Sequence, residues 1–493
     1  MAELDSIDLE PRHLKKIRSI FARHLPYKKV WAYGSRVKWT ASNTSDLDCV
    51  VFGANDIEIA NAREAFDESD IPFEVQLLNW DTIPDDFKEN IKKGYFVLRN
   101  EEDWKETTLS EICYRIGDGL HGTPKYTIDT QYYFINGNNL KKGQVVITKN
   151  TKKIEYKEFQ KYKKDLGLNT ILLSINGTIG NLAKYNNELC ILGKSIAYLN
   201  IRDDIIKNFI YYLMLDSRFQ KDISHNANGS TIKNVSLAQL KNYSILLPPL
   251  LEQKAIASVL SSIDDKIDLL HRQNNTLESI AETIFRKWFI EEADDSWEEV
   301  SLSQLGTIIC GKTPSKKKLE YFDGNVPFIK IPDMHGNTYI TQTADSLTEK
   351  GKSSQPNKTI SPFSICVSCI ATIGLVSMTI VESQTNQQIN TIIPYKEIYR
   401  YYLFLYIKSS FDLLHAMGSG GTATLNINTR NFSKMNISKP DDITLENFSN
   451  AVSPIFNKIL KNQKQIKTLE CLRDMLLPKL ISGDIRVEYK EVS

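Results

Sequence analysis

Two long stretches of the chain repeat apolar residues in alternating steps of four and three. In the first the positions are Ile256, Leu260, Ile263, Ile267 and Leu270, then Leu277, Ala281, Ile284 and Trp288, with Asn274 in phase between them. In the second they are Val452, Ile455, Ile459, Ile466, Leu469, Leu476 and Leu480, with Asn462 and Arg473 in phase. This spacing predicts two coiled-coil helices, over 249–292 and 441–488. A buried amide left without a partner costs about 1–3 kcal/mol, so each Asn is expected to seek the other. Antiparallel pairing of Asn274 with Asn462 sets Leu270 against Ile466, Ile267 against Leu469 and Leu277 against Ile459. It also sets Ile284 against Val452, Leu260 against Leu476 and Ile256 against Leu480, leaving only Ile263 with a poor partner, Arg473. A slip by a whole heptad would pair apolar with apolar equally well, so the Asn pair selects the register.

Before each helix the chain runs through one pattern twice, about 190 residues apart. Each copy opens on a Trp and a strand-like start, WKETTLSEI from Trp104 and WEEVSLSQL from Trp297. Each then has an apolar run ending in Thr-Ile-Gly (LLSINGTIG and CVSCIATIG), a Tyr-Tyr-Leu at Tyr211 or Tyr401, and a Gly-rich polar loop. A strand and a proline, Pro248 or Pro440, lead into the helix. The interiors diverge and are rich in β-branched and aromatic residues, Gly and Asn, which predicts two mostly β modules, 101–248 and 293–440. The expected class is α+β and multidomain. A small α/β domain (1–100) precedes the two β-rich modules and their two long antiparallel helices.

Composition changes this picture little. Of the 493 residues 41% are hydrophobic and 25% charged, ordinary for a globular chain. No apolar stretch reaches the ~20 residues of a membrane span, and the polar start, MAELDSIDLEPRH, does not read as a secretory signal. Seven scattered cysteines suit reduced thiols in a cytoplasm. Cys366 and Cys369 form a lone C-x-x-C inside FSICVSCIATIG, read as a buried strand rather than a metal site. The net charge of +1 conceals blocks: −3 over 1–100, +5 over 101–250, −7 over 251–299 and +6 over 300–493. The two basic blocks coincide with the two modules, where contact with phosphate is expected.

Residues 1–100 carry a different chemistry. A helix, LKKIRSIFARHL, leads into a strand, KKVWAYGS, then Gly34-Ser35, ten residues, and Asp46-Leu47-Asp48 opening the strand CVVFG. Positions i and i+2 of a strand face the same way, so Asp46 and Asp48 share one site. Glu74, in IPFEVQLLN, is a candidate third carboxylate. Three oxygen donors suit Mg²⁺ bridging the phosphates of a nucleoside triphosphate. Gly34 allows close backbone approach, Ser35 offers a hydroxyl to a phosphate, and Arg36 adds charge. The segment is similar to minimal nucleotidyltransferases of the DNA polymerase β superfamily, whose signature is Gly-Ser, about ten residues, Asp-x-Asp. Two positions depart from it: Trp39 stands where that family often has glycine, and Glu74 where Asp is commoner. The resemblance implies nucleotide and metal binding, with Asp46, Asp48 and Glu74 as catalytic and metal-binding groups. An inactive domain kept for contact or regulation is the other reading.

The end of each helix, ETIFRKWF after PPLLEQKAIASVLSSIDDKIDLLHRQNNTLES and LRDMLLPKL before ISGDIRV, resembles the two central repeats of type I restriction–modification specificity subunits. This likeness covers about 104–488. It implies two target-recognition domains that each read half of a split site in double-stranded DNA. It also implies helices that set the gap and dock the modification and restriction subunits. S-adenosylmethionine chemistry would belong to the modification partner, and no N-P-P-[YF]-type methyltransferase motif occurs in this chain. A helix from 256 to 284 is about 42 Å long at ~1.5 Å per residue, about a dozen base pairs. Candidate DNA contacts in the first module are Lys141, Lys142, Lys149, Lys152 and Lys153, within a basic run that continues through Lys157, Lys161, Lys163 and Lys164. In the second they are Lys312, Lys316, Lys317 and Lys318. The loops at Gly229, Ser230, Thr231 and at Gly420, Gly421, Thr422 offer amides and hydroxyls to phosphate. Solvated surface turns are the alternative reading of the same residues. At the level of function the alternative is a nucleotidyltransferase targeted to DNA, acting on a protein or nucleic-acid acceptor in defence or as an antitoxin-like regulator.

Overall fold

The structure, a computed structural model, describes residues 4, 6–25, 28–42, 44–100, 103–225, 234–419 and 425–487. It falls into two compact units: Met1–Ser262 with Arg473–Ser493, and Ile263–Leu472.

The first unit begins with a small α/β domain. Its elements are α1 (Pro11–His24), β1 (Val30–Tyr33), β2 (Leu47–Val51), α2 (Asp56–Asp67), β3 (Val75–Asn79), α3 (Asp85–Ile91) and β4 (Phe96–Arg99). The sheet order is β3-β2-β1-β4, parallel between β2 and β3 and antiparallel elsewhere. Strand alternation sorts the side chains. Ala32, Cys49, Val51 and Leu77 are buried with Ile17 and Phe21 of α1 and with Ile59, Ala62 and Phe66 of α2. The other face gathers Trp31, Val50, Ile91 and Tyr95. The capping box of Asn55 and Glu58 starts α2.

The repeat read from the sequence is a repeat of topology. In the first module a four-stranded antiparallel sheet runs Leu182–Lys184, Thr170–Ser174, Ile196–Ile201, Cys113–Asp118. In the second unit the corresponding strands Val376–Thr379, Ile365–Ser368, Ile389–Pro394 and Gly306–Cys310 neighbour one another in the same order, with Tyr339–Ile340 added at one edge. A second, mixed sheet in each module contains one parallel pair: Tyr133–Ile135 with Cys190–Leu192, and Phe322–Ile329 with Ser383–Thr385. The first and last strands of each module pair with each other, Lys105–Thr108 with Ser244–Leu247 and Glu298–Ser301 with Asn436–Lys439.

The two heptad stretches are helices α4 (Leu250–Arg286) and α5 (Asp442–Ser482). In the second unit Asn462 Nδ2 donates to Asn274 Oδ1 at 2.9 Å, both residues buried. On the far side of that pair Ala281 of α4 shares a core with Val452 and Phe456 of α5, so the helices run antiparallel. In the first unit Ile256 and Leu260 share a core with Leu477, Leu480 and Ile481. The seam expected from the strict heptad drifts at its end. Ile284 and Trp288 are only partly buried, whereas Phe285 and Phe289 enter the second module's core, Phe289 4.7 Å from the Tyr402 and Phe448 ring centroids. The last turn, Lys287–Glu291, is a π-turn, wider than an α-turn, and it carries the stride of four from Ala281 toward the module rather than the partner helix.

Candidate nucleotide site and nucleic-acid interface

In the small domain, β1 ends at Tyr33 opposite Asp48, and the chain turns at once through Gly34 at φ +83°. A Cβ at Gly34 would lie 2.3 Å from Asp48 Oδ2, so only glycine lets the turn close over that carboxylate. Burial, then the neighbouring charge of Asp46, holds the Asp48 carboxyl above its ordinary range. Burial and the Asp48 charge push the Tyr33 phenol up to about 12. Two carboxylates held together against desolvation are a place where a cation is favourable.

Two of the expected groups, Arg36 and Glu74, are placed differently from Asp46 and Asp48. Arg36 is not held out toward a ligand. It is buried, its guanidinium donates to the Ser45 carbonyl (3.0 and 2.6 Å) and the Asp8 carbonyl (3.1 Å), and it lies 3.9 Å from the Phe73 ring centroid. It fixes the loop that delivers Asp46. Glu74 is exposed and lies just before β3, its carbonyl accepting from the Leu47 amide at 2.8 Å. The residue across from Asp48 is Gln76, whose Nε2 donates to Asp46 Oδ2 at 3.1 Å. Asp46, Asp48 and Glu74 do not close into a group able to hold a metal, and no set of three such side chains does so among the described residues. The donors present, two carboxylates and a neutral amide, fit one divalent cation better than two. Ser35 is half-buried beside Gly34. Trp39, at the position that departs from the family pattern, adopts φ +57° and is 61% exposed, which explains why glycine suits that position.

The lysine candidates fall on turns and at the ends of short strands, all but Lys153 exposed. Lys141 and Lys142 form a hairpin between Leu140–Lys141 and Gln144–Val145, with Lys142 at φ +48° and Gly143 at φ +78° at its tip. Lys149 is exposed, and Lys152 lies 5.8 Å from the Tyr126 ring centroid. Lys153 is half-buried and donates to the Ile128 carbonyl at 3.4 Å. Lys312, Lys316 and Lys317 are exposed, and Lys318 donates to the Tyr321 hydroxyl at 3.0 Å. Among the described residues none of these lysines has a carboxylate partner, whereas Lys350, Lys352, Lys396 and Lys408 do. Gly229, Ser230, Thr231, Gly420, Gly421 and Thr422 lie outside the described residues. Cys366 and Cys369 are buried, and burial pushes their thiols up to about 12 and about 11, as suits core residues.

Fold and surface together define a chain of two repeated recognition modules joined to a nucleotidyltransferase-like domain. The type I restriction modification DNA specificity domain matches twice, over residues 101–279 and 294–470, and the polymerase beta nucleotidyltransferase domain matches residues 15–103. The chain belongs to the family of type I restriction–modification specificity subunits. It is 35% identical to the type I restriction enzyme HindI specificity subunit of Haemophilus influenzae, over 57% of this chain and 78% of that protein. Its N-terminal fifth is similar to a probable protein adenylyltransferase, MntA, of the same species, 36% identical over 21% of this chain and 92% of that protein. The fold is also that of the type I specificity subunit from M. genitalium, with a TM-score of 0.50 at 18% identity over 80% of this chain and 98% of the other. Among the described residues no helix is long and apolar enough to cross a membrane.

Proposed function

We propose that the chain directs a type I modification and restriction complex to a split DNA sequence, each module reading one half. The observation that carries this is the duplicated module. One sheet order occurs twice with divergent interiors, and each copy bears lysines without carboxylate partners. Phosphate contacts from such lysines position a protein on DNA, and the divergent side chains then read different bases. The paired helices α4 and α5 offer the docking surface for the modification and restriction subunits. S-adenosylmethionine is bound by the modification partner, and the complex works in the cytoplasm. Methylome sequencing with and without the gene tests this reading. Loss of methylation at one split motif is expected, and no change at any methylated motif would overturn it.

For residues 1–100 the closed turn of Gly34 over Asp48 favours binding of a nucleoside triphosphate with one Mg²⁺ held by Asp46 and Asp48. The metal would offset the repulsion between the two carboxylates and the nucleotide phosphates, and Ser35, beside the turn, would offer its hydroxyl to a phosphate. Gln76 supplies no charge where a third carboxylate would bind a second metal. Asp46→Ala with Asp48→Ala separates this domain from DNA recognition. Methylation and restriction are expected to persist while nucleotide binding is lost. Loss of restriction with methylation intact would instead favour an enzyme that uses the modules to find DNA.

A further inference from the structure

The two modules differ in most residues, yet one turn is built the same way in both. It follows the central strand of each sheet and reads Asn176-Gly177-Thr178-Ile179-Gly180 in the first module and Ile370-Ala371-Thr372-Ile373-Gly374 in the second. The left-handed positions coincide: Gly177 (φ +75°) with Ala371 (+63°), and Gly180 (+96°) with Gly374 (+89°). So do the hydrogen bonds. The amides of Gly180 and Gly374 donate to the carbonyls of Ser174 and Ser368 at 3.0 and 3.1 Å. The hydroxyls of those serines accept from the amides of Asn181 and Leu375 at 2.8 and 2.9 Å.

Most of the shared residues have a reason inside the fold. Ile179 and Ile373 pack on the module cores. A Cβ at Gly180 would lie 2.0 Å from Gln220 Oε1, and one at Gly374 2.7 Å from Phe411 Cδ2. The threonine has no such reason. Thr178 and Thr372 are exposed; among the described residues the Thr372 hydroxyl has no partner, and that of Thr178 has one long contact, 3.4 Å to Asn138 Oδ1. Each turn also adjoins a basic stretch. Asn138 lies three residues before Lys141. The Cys369 amide donates to the Gln388 carbonyl at 2.9 Å, and the adjacent Gln387 Oε1 accepts from Thr313, next to Lys312, at 2.7 Å.

Two modules that read different bases should share only the element that contacts what all DNA has in common. We propose that Thr178 and Thr372 each donate a hydrogen bond to a backbone phosphate of double-stranded DNA, anchoring the modules independently of sequence. The proposal rests on the DNA-recognition reading given above. Thr178→Val and Thr372→Val remove the hydroxyl at nearly constant shape, and Thr→Ser restores it.

The experiment is fluorescence anisotropy of the full chain on labelled mixed-sequence duplexes across a salt series. Each valine variant is expected to bind about fivefold more weakly, and the double variant about 25-fold, by a similar factor on every duplex. The salt slope should not change because no charge is lost, whereas Lys141→Ala with Lys142→Ala should flatten it by about 0.9 per phosphate contact. Serine variants should bind as the wild type does. Wild-type affinity in the valine variants, or a loss confined to one duplex, overturns the assignment, as does failure of serine to rescue. If the lysine variants weaken binding and the valine variants do not, DNA recognition stands and the threonine anchor falls. If the wild type binds no duplex, both fall.

Discussion

Replacing Asn462 with Leu tests whether the seam between α4 and α5 is held in register by one polar pair. Asn462 is fully buried and Asn274 is 6% exposed, and the 2.9 Å hydrogen bond between them is the central polar contact of the seam. Among the described residues Asn462 Oδ1 has no partner, so the pair is itself incompletely satisfied. Leu at 462 leaves the Asn274 amide facing an apolar side chain, a loss of about 1–3 kcal/mol. Leu at both positions removes both desolvated amides, so stability should return to within about 1 kcal/mol of wild type or exceed it. The coupling between the two substitutions is therefore expected to be large and favourable, about 2–3 kcal/mol. Because several domains unfold in one chain, a single melting temperature would blur this, and hydrogen exchange of the amides flanking 274 and 462 is the better assay. The single variant should exchange faster there by roughly five- to 150-fold, since each 1.4 kcal/mol is about tenfold. Unchanged exchange in Asn462→Leu, or a double variant whose acceleration equals the product of the two singles, would refute the reasoning.

Three further outcomes follow from the small domain and its junction. Gly34→Ala forces a Cβ into the Asp48 carboxylate at a left-handed position, so Mg²⁺-dependent nucleotide binding, measured by titration calorimetry, should be lost while the modules fold normally. Asp48→Asn should raise the domain's thermal stability at neutral pH. The folded carboxyl titrates above its unfolded value, so ionisation disfavours the fold, and the gain should shrink as pH falls through that raised value. Glu252 is fully buried, accepts from Trp104 Nε1 at 3.0 Å and from the Arg486 guanidinium at 2.6 and 2.8 Å; Glu252→Ala should destabilise the first unit by about 2 kcal/mol, read from its denaturant midpoint.

The helices and the repeat were legible because both are periodic signals summed over many residues. The Asn pair was legible because two polar residues interrupt otherwise apolar seams. The third position of the small domain's site was not legible. Glu74, just before β3, and Gln76, within it, have the same parity, so alternation puts both on the face of Asp46 and Asp48. Only the pairing of β2 with β3 sets Gln76 across from Asp48. Arg36 misled for a related reason, since a guanidinium beside Gly-Ser reads as a phosphate ligand until the fold surrounds it with the Ser45 and Asp8 carbonyls and Phe73. The end of the first seam drifted because the sequence offers two apolar strides there, and the aromatic core of the second module decides between them.

The pairing of each module's first strand with its last has an evolutionary consequence. Lys105 lies beside Leu247, and Glu298 beside Lys439, so each module opens and closes at one doorstep, next to the helix that follows it. Everything between can be exchanged by recombination without moving the helices, provided the two doorstep strands are kept. A new recognition half can therefore be acquired in a single crossover pair, which makes such a chain a natural site for rapid change of target while the two long helices are kept.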